Sequence, residues 1–257
     1  MYSSFYFPDR VKYDSPERAG LAFEPLFFNS ADGTLLSGWF IPAQEVGNPL
    51  EAKGTVLHMH GNAHNMTMQW QYVQWVPEHG YNVFVFDYRG YGQSHGTPEP
   101  KGVFEDAVAA LDYVRSRADI DTDKLFVFGQ SLGGMIAIAS VGASPQGVRA
   151  VLAEAPFHSY TALADDRTPG EGAIVDETWS ASTHVAKLAP IPLLLIHGTS
   201  DRVVPYSHSE MLLAEAHEPK QLVTVAGGDH LDIMTDRYGT TYQDMMVDFF
   251  ARALQKT

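Results

Sequence analysis

Short runs of Val, Phe, Leu and Ile recur along the chain and alternate with longer segments of mixed polarity. Eight such runs predict β-strands, at residues 23–29, 35–41, 55–60, 83–88, 125–129, 150–154, 193–197 and 222–226. From the third run onward the strands are almost continuously apolar, as expected when helices cover both faces of a parallel sheet. The first two runs are separated by Asp32-Gly33, a strong signal for an antiparallel hairpin.

Apolar residues at helical spacing lie between the predicted strands. Phe104, Val108 and Leu111 fall about one turn apart and predict a helix with one apolar stripe. Similar patterns predict helices at residues 67–79, 132–143, 207–217 and 242–253. Strands that alternate with helices predict a three-layer α/β architecture, in which a mostly parallel eight-stranded sheet begins antiparallel and carries helices on both faces.

One segment interrupts this alternation. Residues 157–189 are polar, rich in Asp, Thr, Ala and Gly, and lie between two predicted strands. Long connections of this kind often cover active sites. We therefore interpret the segment as a short lid or cap insertion within a single domain that spans residues 1–257.

Composition and charge exclude several classes of function. The 257 residues carry 17 Lys and Arg against 31 Asp and Glu, a formal net charge of −14. This balance argues against a nucleic-acid partner, because phosphate neutralisation needs clustered cations. No apolar run approaches the roughly 20 residues that span a bilayer, and no signal peptide is visible, so we expect a cytoplasmic protein without an integral membrane segment. The lack of cysteine excludes disulfides, thiolate metal sites and a cysteine nucleophile.

The sharpest motif is GQSLGG at residues 129–134, which matches G-x-S-x-G between a predicted strand and a predicted helix. In this setting a tight turn, the nucleophile elbow, lifts a serine hydroxyl above the strand ends. Glycines flank the serine because larger side chains would clash. Ser131 is therefore the candidate nucleophile. The alternative is an ordinary glycine-rich turn in which Ser131 caps the helix.

A serine nucleophile needs a general base and an acid that orients the base. His230 follows the last predicted strand, at the sheet edge where Ser131 is also expected. Asp201 follows the strand at 193–197 and lies between these two residues in chain order, so we expect it to orient the imidazole. Glu154 is the alternative acid. A solvated loop histidine and an aspartate that only stabilises a turn are the non-catalytic alternatives.

The sequence HMHGNAH at residues 58–64 follows the third predicted strand. In one interpretation, the backbone N–H of Asn62 pairs with that of Leu132 to form an oxyanion hole. In the other, the three histidines bind a metal ion. We favour the first, because an HxHxDH metal motif has Asp where Asn62 stands and its third histidine one residue before His64. We expect no metal and no organic cofactor.

Together these motifs resemble the α/β-hydrolase superfamily, over the chain from about residue 23 to its end. The motifs are HGNA at 60–63, DYRGYGQS at 87–94, GQSLGG at 129–134, HGTSD at 197–201 and GDH at 228–230. HGNA and DYRGYG are typical of a serine-hydrolase branch with protein depalmitoylases and many esterases. The resemblance implies that Ser131, Asp201 and His230 form a catalytic triad. It also implies a structural role for Asp87 and Arg89, in a turn and an internal ion pair.

We predict a serine hydrolase that cleaves carboxylic ester or thioester bonds of small to medium acyl substrates through an acyl-enzyme intermediate. A small-molecule ester is the expected partner, and the oligomeric state stays open. A peptidase or amidase, an acyltransferase on the same triad, and a non-catalytic α/β-hydrolase binding scaffold are the alternatives. Candidate substrate-pocket residues are Met66, Trp70, Phe157, Tyr160, Trp179 and Val203.

Overall fold

The apolar runs form the strands of an eight-stranded sheet. The computed structural model describes residues 4–255, apart from the side chains of residues 173 and 174, and this part of the chain contains ten strands. The strands are β1 (Phe7–Pro8), β2 (Glu24–Asn29), β3 (Leu35–Ile41), β4 (Thr55–Met59), β5 (Ala63–His64), β6 (Asn82–Phe86), β7 (Leu125–Gln130), β8 (Val148–Glu154), β9 (Leu193–Gly198) and β10 (Lys220–Val225). Eight of them pair in the order β10-β9-β8-β7-β4-β6-β3-β2, and β1 pairs with β5 in a separate two-stranded sheet.

Strand direction changes along this sheet as the sequence pattern predicts. β2 pairs antiparallel with β3, and β3 pairs antiparallel with β6. The pairs β4–β6, β8–β9 and β9–β10 are parallel. The prediction of a mostly parallel eight-stranded sheet with an antiparallel start and helices on both faces is confirmed. The pairing of β1 with β5 was not predicted, because two residues are too few to show a periodic pattern.

Six α-helices lie in the described part of the chain. They are α1 (Met66–Gln69), α2 (Pro100–Ser116), α3 (Leu132–Ala143), α4 (Tyr160–Arg167), α5 (Ser207–Glu215) and α6 (Thr241–Gln255). Helix α4 lies in the segment 157–189, where the sequence pattern predicted no helix. Within residues 4–255, none of the helices is both long enough and apolar enough to cross a bilayer.

The predicted continuous helix at residues 67–79 is wrong. Helix α1 ends at Gln69, and two 3-10 turns follow, at Trp70–Tyr72 and Val76–His79. Pro77 in the second turn has no N–H group, and its ring clashes with the carbonyl of an α-helix one turn earlier. Each of the three short turns in this segment buries its own apolar residues.

The described residues divide into two compact units, 4–127 with 146–148 and 128–145 with 149–255. In the first unit, the ring of Tyr113 on α2 stacks on the rings of Phe28 and Phe84, at centroid distances of 5.2 and 5.3 Å. Such aromatic pairs add to the stabilisation from burial alone. They fix α2 against the antiparallel start of the sheet.

An internal ion-pair network in the first unit accounts for the arginine of the DYRGYG sequence. The buried guanidinium of Arg89 contacts Asp106 on α2 at 2.8 Å and Asp32 at 2.9 Å. Asp87 lies elsewhere, where its carboxylate accepts hydrogen bonds from His60 and from the backbone N–H of Met66. Arg89 therefore joins the hairpin after β2 to α2, and its ion-pair partners are Asp106 and Asp32, not Asp87.

In the second unit, α3 is buried around its whole circumference. Residues 132–141 are all buried, and helices of this kind occupy the cores of larger domains. Gly142 at the end of α3 packs closely on the segment 157–189, since a Cβ there would lie 2.6 Å from the carbonyl oxygen of His184. A fixed α3 places the turn that precedes it, which contains Ser131.

Candidate active site

Ser131 occupies a strained turn between β7 and α3, with φ 54° and ψ −116°. A residue other than glycine in this region costs about 1–3 kcal/mol, so the surrounding structure has to hold it. The Ser131 N–H donates to the carbonyl of Glu154 at 2.9 Å, and the Ser131 carbonyl accepts from Gly134 and Met135. A Cβ at Gly129 would lie 2.1 Å from the Gly133 carbonyl oxygen, so glycine is required there.

His230 lies in the loop between β10 and α6 and bonds two of the predicted site residues. Its Nε2 lies 3.0 Å from the Ser131 Oγ, and its Nδ1 lies 2.7 Å from the Asp201 Oδ2. The His230 side chain is 15% exposed, whereas that of Asp201 is fully buried. The structure therefore brings Ser131, His230 and Asp201 into one hydrogen-bonded chain that solvent reaches at the imidazole.

Four donors surround the Asp201 carboxylate. Its Oδ1 accepts from the backbone N–H groups of Val203 and Val204, both at 2.9 Å, and its Oδ2 lies 3.3 Å from the His197 Nε2 besides His230. Burial alone would raise the pKa of Asp201, but the hydrogen bonds from His197 and His230 outweigh it and hold the pKa well below its ordinary value. Asp201 is therefore an ionised carboxylate in neutral solution.

The sequence pattern did not indicate His197 as a contact of the acid. The buried His197 ring makes two further hydrogen bonds. Its Nδ1 lies 2.7 Å from the Ser209 Oγ, and its Nε2 lies 3.0 Å from the Val204 carbonyl oxygen. The signal that was available is its place four residues before Asp201 in the HGTSD sequence.

Glu154, the alternative acid, has other partners. Its Oε2 accepts from the Gln130 side chain at 2.6 Å, and its Oε1 accepts from the Ile233 N–H at 3.3 Å. Burial raises the pKa of Glu154 to about 7; these two hydrogen bonds oppose the rise, and the charges of Asp232 and Asp201 add to it. The Nδ1 of His230 bonds Asp201 instead, as its distance shows.

The carboxylates next to His230 in sequence are paired with arginines. Asp229 binds the guanidinium of Arg202, and Asp232 binds that of Arg237. The hydrogen bonds from Arg202 lower the pKa of Asp229. These ion pairs brace the loop on both sides of His230, and its imidazole bonds the more distant Asp201.

The two predicted oxyanion donors lie in different units, and each is held locally. Leu132 is the first residue of α3, and N–H groups in the first turn of a helix have no acceptor within it. Asn62 follows β4; its carbonyl accepts from the Phe7 N–H at 2.9 Å and the Tyr91 hydroxyl at 2.8 Å, and its side chain donates to the Phe5 carbonyl at 3.0 Å. Their joint role stays a prediction.

The N-terminal segment of residues 5–13 holds the HGNAH sequence in place. Phe7–Pro8 pairs with Ala63–His64 as the β1–β5 ladder. The Asp9 carboxylate contacts the His64 Nδ1 at 2.8 Å and accepts from the Asn65 side chain at 2.7 Å. His64 itself has a positive φ of 64°. The sequence pattern did not indicate this support, because its two partners are distant in the chain.

The histidines of the metal alternative bond different partners. His60 lies within 3.0 Å of the Asp87 Oδ1, and its ring packs on those of Tyr88 and Tyr91. His64 pairs with Asp9 instead. Within the described residues, no group of three or more His, Asp and Glu side chains is arranged to hold a metal ion.

The predicted pocket residues fall into buried and accessible sets. Trp70, Phe157 and Tyr160 are buried, and the last two pack edge to face with ring centroids 5.5 Å apart. Met66 is also buried and lines a cavity of about 320 Å³ in the first unit. The Trp179 indole donates to Asp176, and Val203 is 49% exposed. Contact of these residues with a substrate stays a prediction.

Comparison with known proteins supplies the family. Residues 66–257 match the model described as the prolyl oligopeptidase family. The chain is 43% identical over 263 residues to the uncharacterized protein YfhR of Salmonella typhi, with 98% of this chain and 88% of that protein covered. It is 33% identical over 238 residues to the alpha/beta hydrolase domain-containing protein WAV2 of Arabidopsis thaliana, with 85% and 75% covered.

Solved structures agree on the fold. The Pyrococcus furiosus esterase Pf2001 matches with a TM-score of 0.78 at 19% identity, with 98% of each chain covered. Likeness at this identity shows the α/β-hydrolase fold, as does the sheet order described above. With the family model matched over residues 66–257 and a relative 43% identical over nearly the whole chain, the chain belongs to the prolyl oligopeptidase family of α/β hydrolases.

Proposed function

We propose that the protein is a serine hydrolase that cleaves carboxylic ester or thioester bonds by two-step acyl transfer. The single observation that supports this most is the hydrogen-bonded chain from the Ser131 Oγ through His230 to Asp201, with distances of 3.0 and 2.7 Å. These are the distances at which a base takes a proton from a nucleophile and a third group orients the base.

The charge on Asp201 sets the tautomer of His230. Because the carboxylate is ionised, its Oδ2 accepts a hydrogen bond, so the His230 Nδ1 carries the hydrogen. The lone pair of Nε2 then faces the Ser131 hydroxyl. This arrangement readies His230 as a general base, and Asp201 stabilises the imidazolium that forms when the proton moves.

In the proposed reaction, His230 takes the proton as the Ser131 oxygen attacks the acyl carbon. The N–H groups of Leu132 and Asn62 stabilise the resulting oxyanion. His230 then protonates the leaving alcohol or thiol, which leaves an acyl ester on Ser131. Water attacks this ester with His230 again as base, and the carboxylic acid departs as Ser131 recovers its proton.

Amide hydrolysis is the second candidate, and the match to the prolyl oligopeptidase family favours it. Both reactions use the same three residues and differ in how the leaving group is held. We further propose that residues 157–189 cover the site as a lid, that the pocket residues contact a small to medium acyl group, and that the protein acts in the cytoplasm.

Turnover of p-nitrophenyl esters of increasing chain length, compared with peptidyl p-nitroanilides, tests the proposal. Ser131→Ala should lower ester turnover by roughly 10⁴-fold or more, since the residues of such a triad act as a unit. Ser116→Ala, the same substitution on the surface of α2, serves as the matched control. Retained activity in Ser131→Ala would contradict the assignment of Ser131 as the nucleophile. Faster turnover of amides than of esters would favour a peptidase.

A further inference from the structure

Glu154 is a fully buried ionisable side chain that the proposed mechanism does not use. It ends β8, and three of its hydrogen bonds connect it to residues near the candidate site. Its backbone carbonyl accepts from the Ser131 N–H at 2.9 Å. Its carboxyl oxygens accept from the Gln130 side chain at 2.6 Å and from the Ile233 N–H at 3.3 Å.

These partners belong to two separate segments of the chain. Gln130 immediately precedes Ser131 on the strained turn, and Ile233 lies three residues after His230. One side chain therefore bonds both the turn that holds the nucleophile and the loop that holds the base. A shift of either segment changes the 3.0 Å separation between the Ser131 Oγ and the His230 Nε2.

The histidine loop needs such an anchor. It has no helix or strand between the end of β10 at Val225 and the 3-10 turn at Asp236–Tyr238. Leu231, next to His230, has a positive φ of 54°, a conformation that bulky residues rarely adopt. The arginine pairs of Asp229 and Asp232 brace the exposed side of the loop. The bond from Ile233 to Glu154 fixes its buried side.

The charges around Glu154 favour a neutral acid. Its two side-chain donors, an amide and a backbone N–H, are uncharged, and within residues 4–255 no Lys, Arg or His side chain forms an ion pair with it. The charges that act on it are those of Asp201 and Asp232, and both are negative. A buried carboxyl in such surroundings has a raised pKa and holds its proton to higher pH than an exposed glutamate.

We propose that Glu154 is a positioning residue of the proposed hydrolase, whose buried carboxyl ties the Ser131 turn to the His230 loop and so sets the reacting distance. The proposal rests on the proposed function. Glu154 touches neither substrate nor reacting atoms and acts through Gln130 and Ile233. Its removal therefore impairs the chemical step and leaves substrate binding intact.

Three variants separate this role from general stabilisation. Glu154→Leu keeps the bulk and removes both side-chain bonds; Gln130→Leu removes only the bond to the turn. Glu154→Gln keeps the size of the side chain and matches the neutral form of the acid. Its amide can pair with that of Gln130 once the Gln130 amide rotates by about 180°. Each is compared with the wild type in ester kinetics, after circular dichroism has verified folding.

We expect Glu154→Leu to lower kcat by about 10- to 100-fold with KM changed less than about twofold, since small misplacements of reacting groups have effects of this size. Glu154→Gln should stay within about threefold of wild type. The double variant with Gln130→Leu should be no slower than Glu154→Leu alone, because the two side chains form one link.

Several results would overturn the proposal. One is a wild-type kcat in folded Glu154→Leu, and another is a loss of activity that appears in KM. A third is Glu154→Gln as impaired as Glu154→Leu. If Glu154→Leu does not fold, Gln130→Leu decides alone, and a wild-type kcat there contradicts the link. Failure of the proposed function looks different, because ester turnover then persists in Ser131→Ala.

Discussion

The buried proton of Glu154 gives a stability prediction whose sign is opposite to that of most carboxylates. Burial raises the pKa of this group from 4.5 to about 7 in the folded protein. Between these values the folded state holds a proton that the unfolded state releases. The contribution of Glu154 to the free energy of unfolding is therefore fully present below about pH 4.5. It falls as the pH rises through about 7 and then stays constant.

The size of the effect follows from the shift. The difference of 7 minus 4.5 is about 2.5 pKa units, which corresponds to about 3–4 kcal/mol at about 1.4 kcal/mol per unit. Glu154→Gln has no proton to lose. Its free energy of unfolding relative to wild type should rise by about 3–4 kcal/mol in total, with about three quarters of this rise between pH 5 and 8.

Urea unfolding followed by circular dichroism at pH 5, 6, 7 and 8 measures this difference. Subtracting wild type from variant at each pH cancels the other titrating groups. Glu78→Gln, on an exposed glutamate, is the matched control. A difference for Glu154→Gln that stays constant, or declines with pH, would refute the assignment of a buried proton.

Three further predictions concern the site and its supports. Asp201→Asn should lower kcat by roughly 10³- to 10⁴-fold in ester kinetics, because an amide favours the wrong tautomer of His230; a loss under tenfold contradicts the role of the acid. Asp9→Ala removes the contacts that hold the segment of Asn62, the predicted oxyanion donor. It should lower kcat more than about fivefold at unchanged KM, since loss of one such donor lowers kcat by about 10²–10³-fold. A wild-type kcat would show that the N-terminal segment does not support catalysis. Gly129→Ala should greatly lower the Tm in thermal scans, because its Cβ would lie 2.1 Å from a carbonyl oxygen. Gly170→Ala meets nothing within 4 Å, so its positive φ should lower the free energy of unfolding by only about 1 kcal/mol. Similar losses of Tm in the two variants would contradict this steric explanation.

The sequence pattern predicted the fold well where a periodic signal reflects burial. Central strands covered on both faces are continuously apolar, and each of the eight strands of the main sheet overlaps a predicted run. Loops after parallel strands meet at one sheet edge. This rule placed Ser131, Asp201 and His230 at the ends of β7, β9 and β10, and the structure joins them by hydrogen bonds.

The rest depends on contacts between distant residues. The ladder of Phe7–Pro8 with Ala63–His64 is too short for a pattern. Glu154 ends a buried strand, but its bonds to Gln130 and to the loop after His230 arise only when the chain is folded. From the sequence alone, Glu154 is therefore an alternative acid, whereas the folded chain gives it different partners.

Labelling with a fluorophosphonate tests whether Ser131 is an activated nucleophile, since the probe reacts preferentially with a serine that an adjacent base activates. The adduct is located by intact-mass and peptide mass spectrometry on the full chain. We expect one adduct, on Ser131, that is lost in His230→Ala. A folded protein that takes up no probe, or takes it up on another residue, would contradict this assignment.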